Sequence, residues 1–178
     1  MEVFRFCHQL DFATSGILVI GKSQSSAGKC AELFRKRLAK KEYKAVVFGW
    51  PKWESSENLS SIESTEGFKM RIEKTGLGKE AYTKVSVLKR GYLNIKGHPR
   101  QNEQISLLLL EPRSGRRHQL RIHCKDLGFP IVGDATYADD KYAYRMFLHA
   151  SRLQLPLDKF YDVACPSSDF DEILKNCN

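Results

Sequence analysis

Apolar and polar positions follow one another in the first fifty residues with spacings that change from strand to helix and back. The apolar run 17–21 ends at a glycine and predicts a buried strand. The next run, 42–49, is rich in β-branched and aromatic residues and predicts another strand. Between them, residues 25–40 predict an amphipathic helix with a serine cap and an apolar face of Ala27, Ala31, Phe34 and Leu38.

The pattern weakens between residues 51 and 79, where Ser, Glu, Lys and Gly dominate. This composition predicts a long connection that contains one marginal strand at 68–72. Two clearer strands are predicted after it, at 81–88 and 104–110, with a polar, glycine-containing segment between them.

The last third of the chain predicts a second helix at 116–127, with Gly128 suited to the left-handed residue that closes it. A short strand and turn at 131–134 and a longer strand at 147–155 follow. Together these elements predict one α+β domain over residues 1–178, built on a mostly antiparallel mixed sheet flanked by helices.

Composition narrows the possible functions. A formal charge of +8 and a pI near 9.3 favour an anionic partner such as nucleic acid, although many basic proteins bind none. Five cysteines without a CxxC pair indicate neither a disulfide framework nor a zinc site. Without a signal peptide or an apolar stretch of roughly 20 residues, we expect an intracellular protein, in cytoplasm or nucleus, with no membrane association.

The second helix carries a candidate anion-binding stripe. Arg117, Arg121 and Lys125 are spaced at i, i+4 and i+8, which places three cations on one side of a continuous helix. A solvated surface would explain this pattern too. Like charges in register repel one another, however, so we expect an anion such as phosphate beside them.

The histidines invite a metal hypothesis that their spacing disfavours. His118 and His123 are five positions apart, which is about 140° around a helix, so the two side chains point apart. We therefore expect structural histidines and no metal site.

Three segments together carry a family resemblance. The segment HQLDFATSG (8–16) resembles the central motif HRLDxxTSG of the RluA-type pseudouridine synthases, and KEYKAVVFG (41–49) resembles the family's tyrosine segment. The run RSGRRHQLRIHCKDLGFPIVGDATY (113–137) resembles its third motif. The segment 4–12 is similar to that of the animal RNA pseudouridylate synthase domain-containing proteins. By itself Asp11 would be taken for a turn residue.

The resemblance implies roles for individual residues. Asp11 matches the catalytic aspartate, and Tyr43 matches the tyrosine that packs against the target uracil and is associated with proton transfer at the ribose. Arg121 matches the arginine that pairs with that aspartate, and a fixed cation of this kind stabilises a partly buried carboxylate. The segment of Gly133, Asp134 and Tyr137 is expected to be a structural turn, and His149-Ala150 a structural signature.

Four further residues are expected to contact RNA, namely Gln9, Arg117, His118 and Lys125. Gln9 stands where the family usually has an arginine that fills the space left by the flipped base. Its amide offers hydrogen bonds but not the planar stacking of a guanidinium.

The resemblance implies that the chain isomerises uridine to pseudouridine in structured RNA, by flipping the base and using a catalytic aspartate. The reaction needs no cofactor, and we expect a monomer. Whether the carboxylate attacks the anomeric carbon or stabilises positive charge there stays open, as do the RNA, whether ribosomal, transfer or other, and the uridine.

Two other hypotheses remain at this stage. One is a catalytically weak RNA-binding or RNA-folding module that retains the fold, and the other is a metal-dependent hydrolase using His8, Asp11 and His118. The family usually carries a strand-forming segment with a Lys-Pro motif ahead of its central motif. Only seven residues precede His8, so we expect an N-terminally truncated domain.

Overall fold

The computed structural model describes residues 4–167 and 169–175. Its strands and helices follow in the order β1 (Arg5–Phe6), β2 (Ser15–Gly16), β3 (Ile20–Gly21), α1 (Gln24–Arg35), β4 (Lys40–Phe48), β5 (Ser55–Asn58), β6 (Ser61–Ser64), β7 (Met70–Glu73), β8 (Thr83–Leu93), β9 (Gln104–Pro112), α2 (Gln119–Asp126), β10 (Leu148–Pro156), β11 (Phe160–Ala164), α3 (Asp169–Glu172) and β12 (Leu174–Lys175).

One mixed sheet organises these elements. Its strands lie in the order β11-β10-β4-β9-β8-β12, while β2 pairs with β10 and β5 pairs with β8. The pairing of β2 with β10 is parallel, and the other pairings of this sheet are antiparallel. The predicted α+β class with a mostly antiparallel sheet is therefore confirmed. Two small antiparallel pairs, β1-β3 and β6-β7, lie outside the sheet.

The C-terminal half of strand β4, residues 45–48, is buried on both faces, because side chains alternate across a sheet and both faces are covered there. Val47 packs with Leu120 and Cys124 of helix α2, whereas Val46 packs with Phe147 and Phe170 on the opposite face. The three strands predicted at 42–49, 104–110 and 147–155 are the central strands β4, β9 and β10. Their apolar sequences match this burial.

Helix α1 is shorter than predicted and buries only part of the predicted face, namely Ala27 and, in part, Phe34. Ser23 caps its first turn, and the helix ends at Arg35 because Arg37 adopts a positive φ of 60°. Ala27 and Cys30 are its buried residues, whereas Leu38 lies beyond the helix and is 51% exposed. The expected burial of Ala31 was also wrong, because Cys30, one position earlier, is buried in its place while Ala31 is exposed.

The segment 51–79 contains three strands, β5, β6 and β7, where only β7 was expected, at 68–72. Strand β5 has the polar sequence Ser-Ser-Glu-Asn and forms because the edge of β8 offers it hydrogen-bonding partners. Strand β6 pairs with β7 around Ile62, which is 1% exposed. Pairing between distant segments thus overrides a weak local pattern.

Strand β8 continues through Gly91, where the sequence indicated a break. Gly91 is needed there because a Cβ atom would lie 2.4 Å from the carbonyl oxygen of Lys175, on the neighbouring β12. The strand predicted at 131–134 is reduced to one bridge between Ile131 and Val47, followed by a turn. In the described part of the chain, no helix is long and apolar enough to span a membrane.

Candidate active site

The loop that carries Asp11 is fastened to strand β10 at its C-terminal end. The Ser15 Oγ lies 2.7 Å from Nδ1 of His149, and Gly16 pairs with Ala150. Gly16 has a φ of +108°, and a Cβ atom there would lie 2.3 Å from the Ala150 carbonyl oxygen. Only glycine fits this approach, which explains Gly16, and the contact with His149 explains Ser15 before it.

The start of the same loop is held by His8. Its Nε2 accepts a hydrogen bond of 3.0 Å from the Val19 backbone N–H, and its ring stacks on Phe34 at 4.6 Å. Burial lowers the pKa of His8. Within residues 4–167 and 169–175, no group of three His, Cys, Asp or Glu side chains is arranged to hold a metal ion.

Asp11 lies beside Arg121, but Arg121 has a closer partner. The Asp11 Oδ2 is 3.7 Å from Nη1 of Arg121, with the Asp11 side chain 23% exposed. The Nε and Nη2 of Arg121 donate to Oδ2 and Oδ1 of Asp134 at 2.8 and 2.7 Å. This bidentate bond fixes the guanidinium plane and leaves Nη1 directed at Asp11.

The turn that contains Asp134 therefore does more than end the third motif. Asp134 Oδ1 also accepts the backbone N–H groups of Thr136 and Tyr137, and its side chain is fully buried. Asp140 accepts the N–H of Gly133 at 2.7 Å, which holds the start of this turn. Sequence reasoning treated Asp134 as part of a structural turn only and missed that it orients Arg121.

Tyr43 lies on β4 and lines the same cavity as Asp11. Burial raises the pKa of Tyr43 to about 12, and the negative charge of Asp11 adds to the shift. The phenol therefore stays protonated at neutral pH and can donate a hydrogen bond. Asp11, Tyr43 and Arg121, which come from three separate segments, meet at one place.

His118 lines this cavity too and connects it to the hairpin β6-β7. Its Nδ1 lies 2.8 Å from the hydroxyl of Tyr137, which accepts the N–H of Met70 at 2.9 Å. The Tyr137 ring also lies under the Arg121 guanidinium, at 4.9 Å. Burial lowers the pKa of His118, so the imidazole is mainly neutral.

The predicted cationic stripe does not exist as one surface. Helix α2 begins at Gln119, and His118 before it has a left-handed φ of 55°, which breaks the helical phase between Arg117 and Arg121. Arg117 is exposed and lines the cavity, Arg121 is buried against Asp134, and Lys125 is exposed in the last turn, outside the cavity lining.

The cavity has a volume of about 1100 Å³ and a cationic rim. Besides Arg117, the rim contains Arg35, Arg37, Lys41, Arg113 and Arg116. Lys41 is two residues before Tyr43, so the two side chains share a face of β4. Its Nζ donates to the Ser114 carbonyl oxygen at 2.9 Å, and burial, with a smaller effect from Arg37, lowers the pKa of Lys41 to about 8. Gln9 is exposed at the same cavity.

Sequence reasoning did not single out Lys41, Arg113 and Arg116, although all three lie inside the segments that carry the resemblance. The alternation of side chains along β4 could have pointed to Lys41, because Lys41 lies two residues before Tyr43 on the same face of the strand.

A family model described as RNA pseudouridylate synthase matches residues 1–126. The chain belongs to the RNA pseudouridylate synthase family. The resemblance drawn from the three motifs is thus confirmed, because the matched range contains two of them whole, together with Arg121 from the third.

Curated relatives agree with this membership. The chain is 40% identical to the mouse RNA pseudouridylate synthase domain-containing protein 1, over 98% of this chain and 58% of that one. It is 36% identical to the ribosomal large subunit pseudouridine synthase C of Rickettsia bellii, over 85% of this chain and 49% of that one. The chain therefore spans about half the length of these relatives.

A solved structure of human RNA pseudouridylate synthase domain containing 1 matches with a TM-score of 0.82 and 36% identity. The match covers 93% of this chain and 69% of that one. The fold assigned from the sequence is confirmed by this match.

Proposed function

We propose that the protein isomerises uridine to pseudouridine in RNA, with Asp11 as the catalytic carboxylate. The observation that carries this proposal is the Asp11 carboxylate, held 3.7 Å from a fixed guanidinium inside a cavity whose rim is cationic. Membership of the family supports the reaction class.

The chemistry required is cleavage of the bond between uracil N1 and the ribose, rotation of the base, and bond formation from C5 to the same carbon. The C5 hydrogen then leaves as a proton, and N1 gains a proton, so the reaction is an isomerisation. Asp11 is available either to attack the anomeric carbon or to stabilise positive charge there. The Arg121 guanidinium lies 3.7 Å from this carboxylate, and Asp134 holds Arg121 in place. The protonated Tyr43 is suited to contact the detached uracil.

The cationic rim is suited to the phosphates of an RNA strand, because neutralised phosphates supply most of the affinity for nucleic acids. A cavity of about 1100 Å³ has room for a flipped nucleotide, whose extrusion costs a few kcal/mol. The Rickettsia relative is named for the large ribosomal subunit, which makes ribosomal RNA one substrate class to test.

The test is release of tritium from cellular RNA labelled with 5-tritiated uridine, taken from cells that lack the gene. Asp11→Asn should abolish release while changing RNA affinity by only a few fold, because one carboxylate contributes little to binding. Asp158→Asn, which alters an aspartate that is 89% exposed, is the matched control and should remain active. An active Asp11→Asn protein refutes the assignment of Asp11 as the catalytic carboxylate. If the wild-type protein binds RNA but releases no tritium, the result favours the alternative hypothesis of a catalytically weak RNA-binding module.

A further inference from the structure

Phe12, the residue after Asp11, exposes its entire side chain to solvent. An aromatic ring in that position buries no apolar surface and so does not stabilise the fold. Nothing in the packing of the loop therefore requires Phe12 to be aromatic.

The loop nevertheless holds the backbone of Phe12 at a defined place. The Thr14 N–H donates to the Asp11 carbonyl oxygen at 2.9 Å, which closes a turn around Phe12. His8 and Gly16 fasten the two ends of the loop, as described above. The ring thus projects from a supported turn at the cavity that contains Asp11.

The surroundings of Phe12 have the composition of a single-strand nucleic-acid site. Arg113, Arg116 and Arg117 line the same cavity and are suited to backbone phosphates. Aromatic rings beside such cations bind bases by stacking, which tolerates any sequence because every base has a π-face.

We infer that Phe12 stacks on the base next to the target uridine. When the uridine leaves the stack, the neighbouring base loses a stacking partner, and the ring beside the catalytic aspartate replaces it. The inference rests on the proposed function. It also assigns to Phe12 the planar contact that the amide of Gln9 does not provide.

The test uses two RNAs. The first is an 11-nucleotide RNA with one uridine flanked by adenosines. The second is the same RNA with every adenosine replaced by an abasic residue. Binding is measured by fluorescence anisotropy at one salt concentration. All proteins carry Asp11→Asn, so that turnover does not interfere. Phe12→Ala should weaken binding of the first RNA by between about 5- and 150-fold and leave binding of the abasic RNA unchanged.

Two further variants separate stacking from general effects. Phe12→Trp should retain the affinity, because an indole also stacks. Leu77→Ala removes another apolar side chain, 89% exposed and outside the cavity lining, and should change neither affinity. Thermal melting checks folding, and Phe12→Ala should melt with its parent because the ring is not buried.

Equal effects of Phe12→Ala on both RNAs overturn the inference, and so does full affinity of Phe12→Ala for the adenosine RNA. The result is separable from the proposed function. If the effect of Phe12→Ala depends on the bases but the wild-type protein releases no tritium, the stacking role of Phe12 is supported and the proposed enzyme activity is refuted. If the wild-type protein releases tritium but Phe12→Ala affects both RNAs equally, the proposed enzyme activity is supported and the stacking role of Phe12 is refuted.

Discussion

Replacing Arg121 with methionine tests the electrostatic architecture of the site. The change removes the cation and keeps most of the side-chain volume. It leaves two carboxylates without their partner, Asp134 with a fully buried side chain and Asp11 with one 23% exposed. The two consequences differ in size, because water can solvate Asp11 but not Asp134.

Removing one partner of a buried ion pair costs about 3–5 kcal/mol, since the remaining charge stays desolvated. For a domain of this size, each kcal/mol lowers the melting temperature by about 2–4 °C, so Arg121→Met should melt roughly 10 °C below wild type. Asp11→Asn breaks only the 3.7 Å contact of a partly exposed group and should cost under about 1 kcal/mol.

The assay is urea unfolding followed by circular dichroism at neutral pH, applied to a double-mutant cycle. Asp134→Asn keeps an oxygen for the N–H groups of Thr136 and Tyr137 and removes the charge. In the presence of Arg121→Met, this second change should therefore recover stability. We expect a coupling of at least about 2 kcal/mol between residues 121 and 134.

Equal destabilisation by Arg121→Met and Asp11→Asn would refute this reasoning, because it would make Asp11 and Asp134 equivalent partners of Arg121. Additive effects of Arg121→Met and Asp134→Asn would refute it as well. Tritium release by Asp134→Asn adds an independent measurement. If Asp134 positions Arg121, activity should fall even at a temperature where the variant is fully folded.

Three further predictions concern the rim and the loop. The pKa of Lys41 is lowered to about 8, so its ammonium loses its proton between about pH 7 and pH 9. RNA affinity measured by anisotropy should therefore fall over that range, and the fall should be smaller in Lys41→Gln, which has no ammonium to lose. Arg117→Ala should reduce the slope of log affinity against log salt by about 0.7–0.9, whereas Lys125→Ala, outside the cavity lining, should change it less. Gly16→Ala should cost at least about 2 kcal/mol in urea unfolding and lower tritium release, since its Cβ would meet the Ala150 carbonyl oxygen.

The sequence alone determined the elements whose burial is written into local periodicity. The strands at 42–49, 104–110 and 147–155 are rich in apolar, β-branched or aromatic residues, and they are the central strands β4, β9 and β10 of the sheet. The motifs likewise singled out Asp11 and Arg121, whose side chains lie 3.7 Å apart in the structure.

Tertiary structure decided which of these groups meet and how. The choice of Asp134 as the close partner of Arg121 depends on a distance through space, and a left-handed residue at His118 shifts Arg117 out of the phase that helical spacing assumed. Polar strand β5 exists only because the edge of β8 is beside it. Local patterns report which face of an element is apolar, whereas ion-pair partners and strand pairing depend on segments that are distant in the chain and adjacent only after folding.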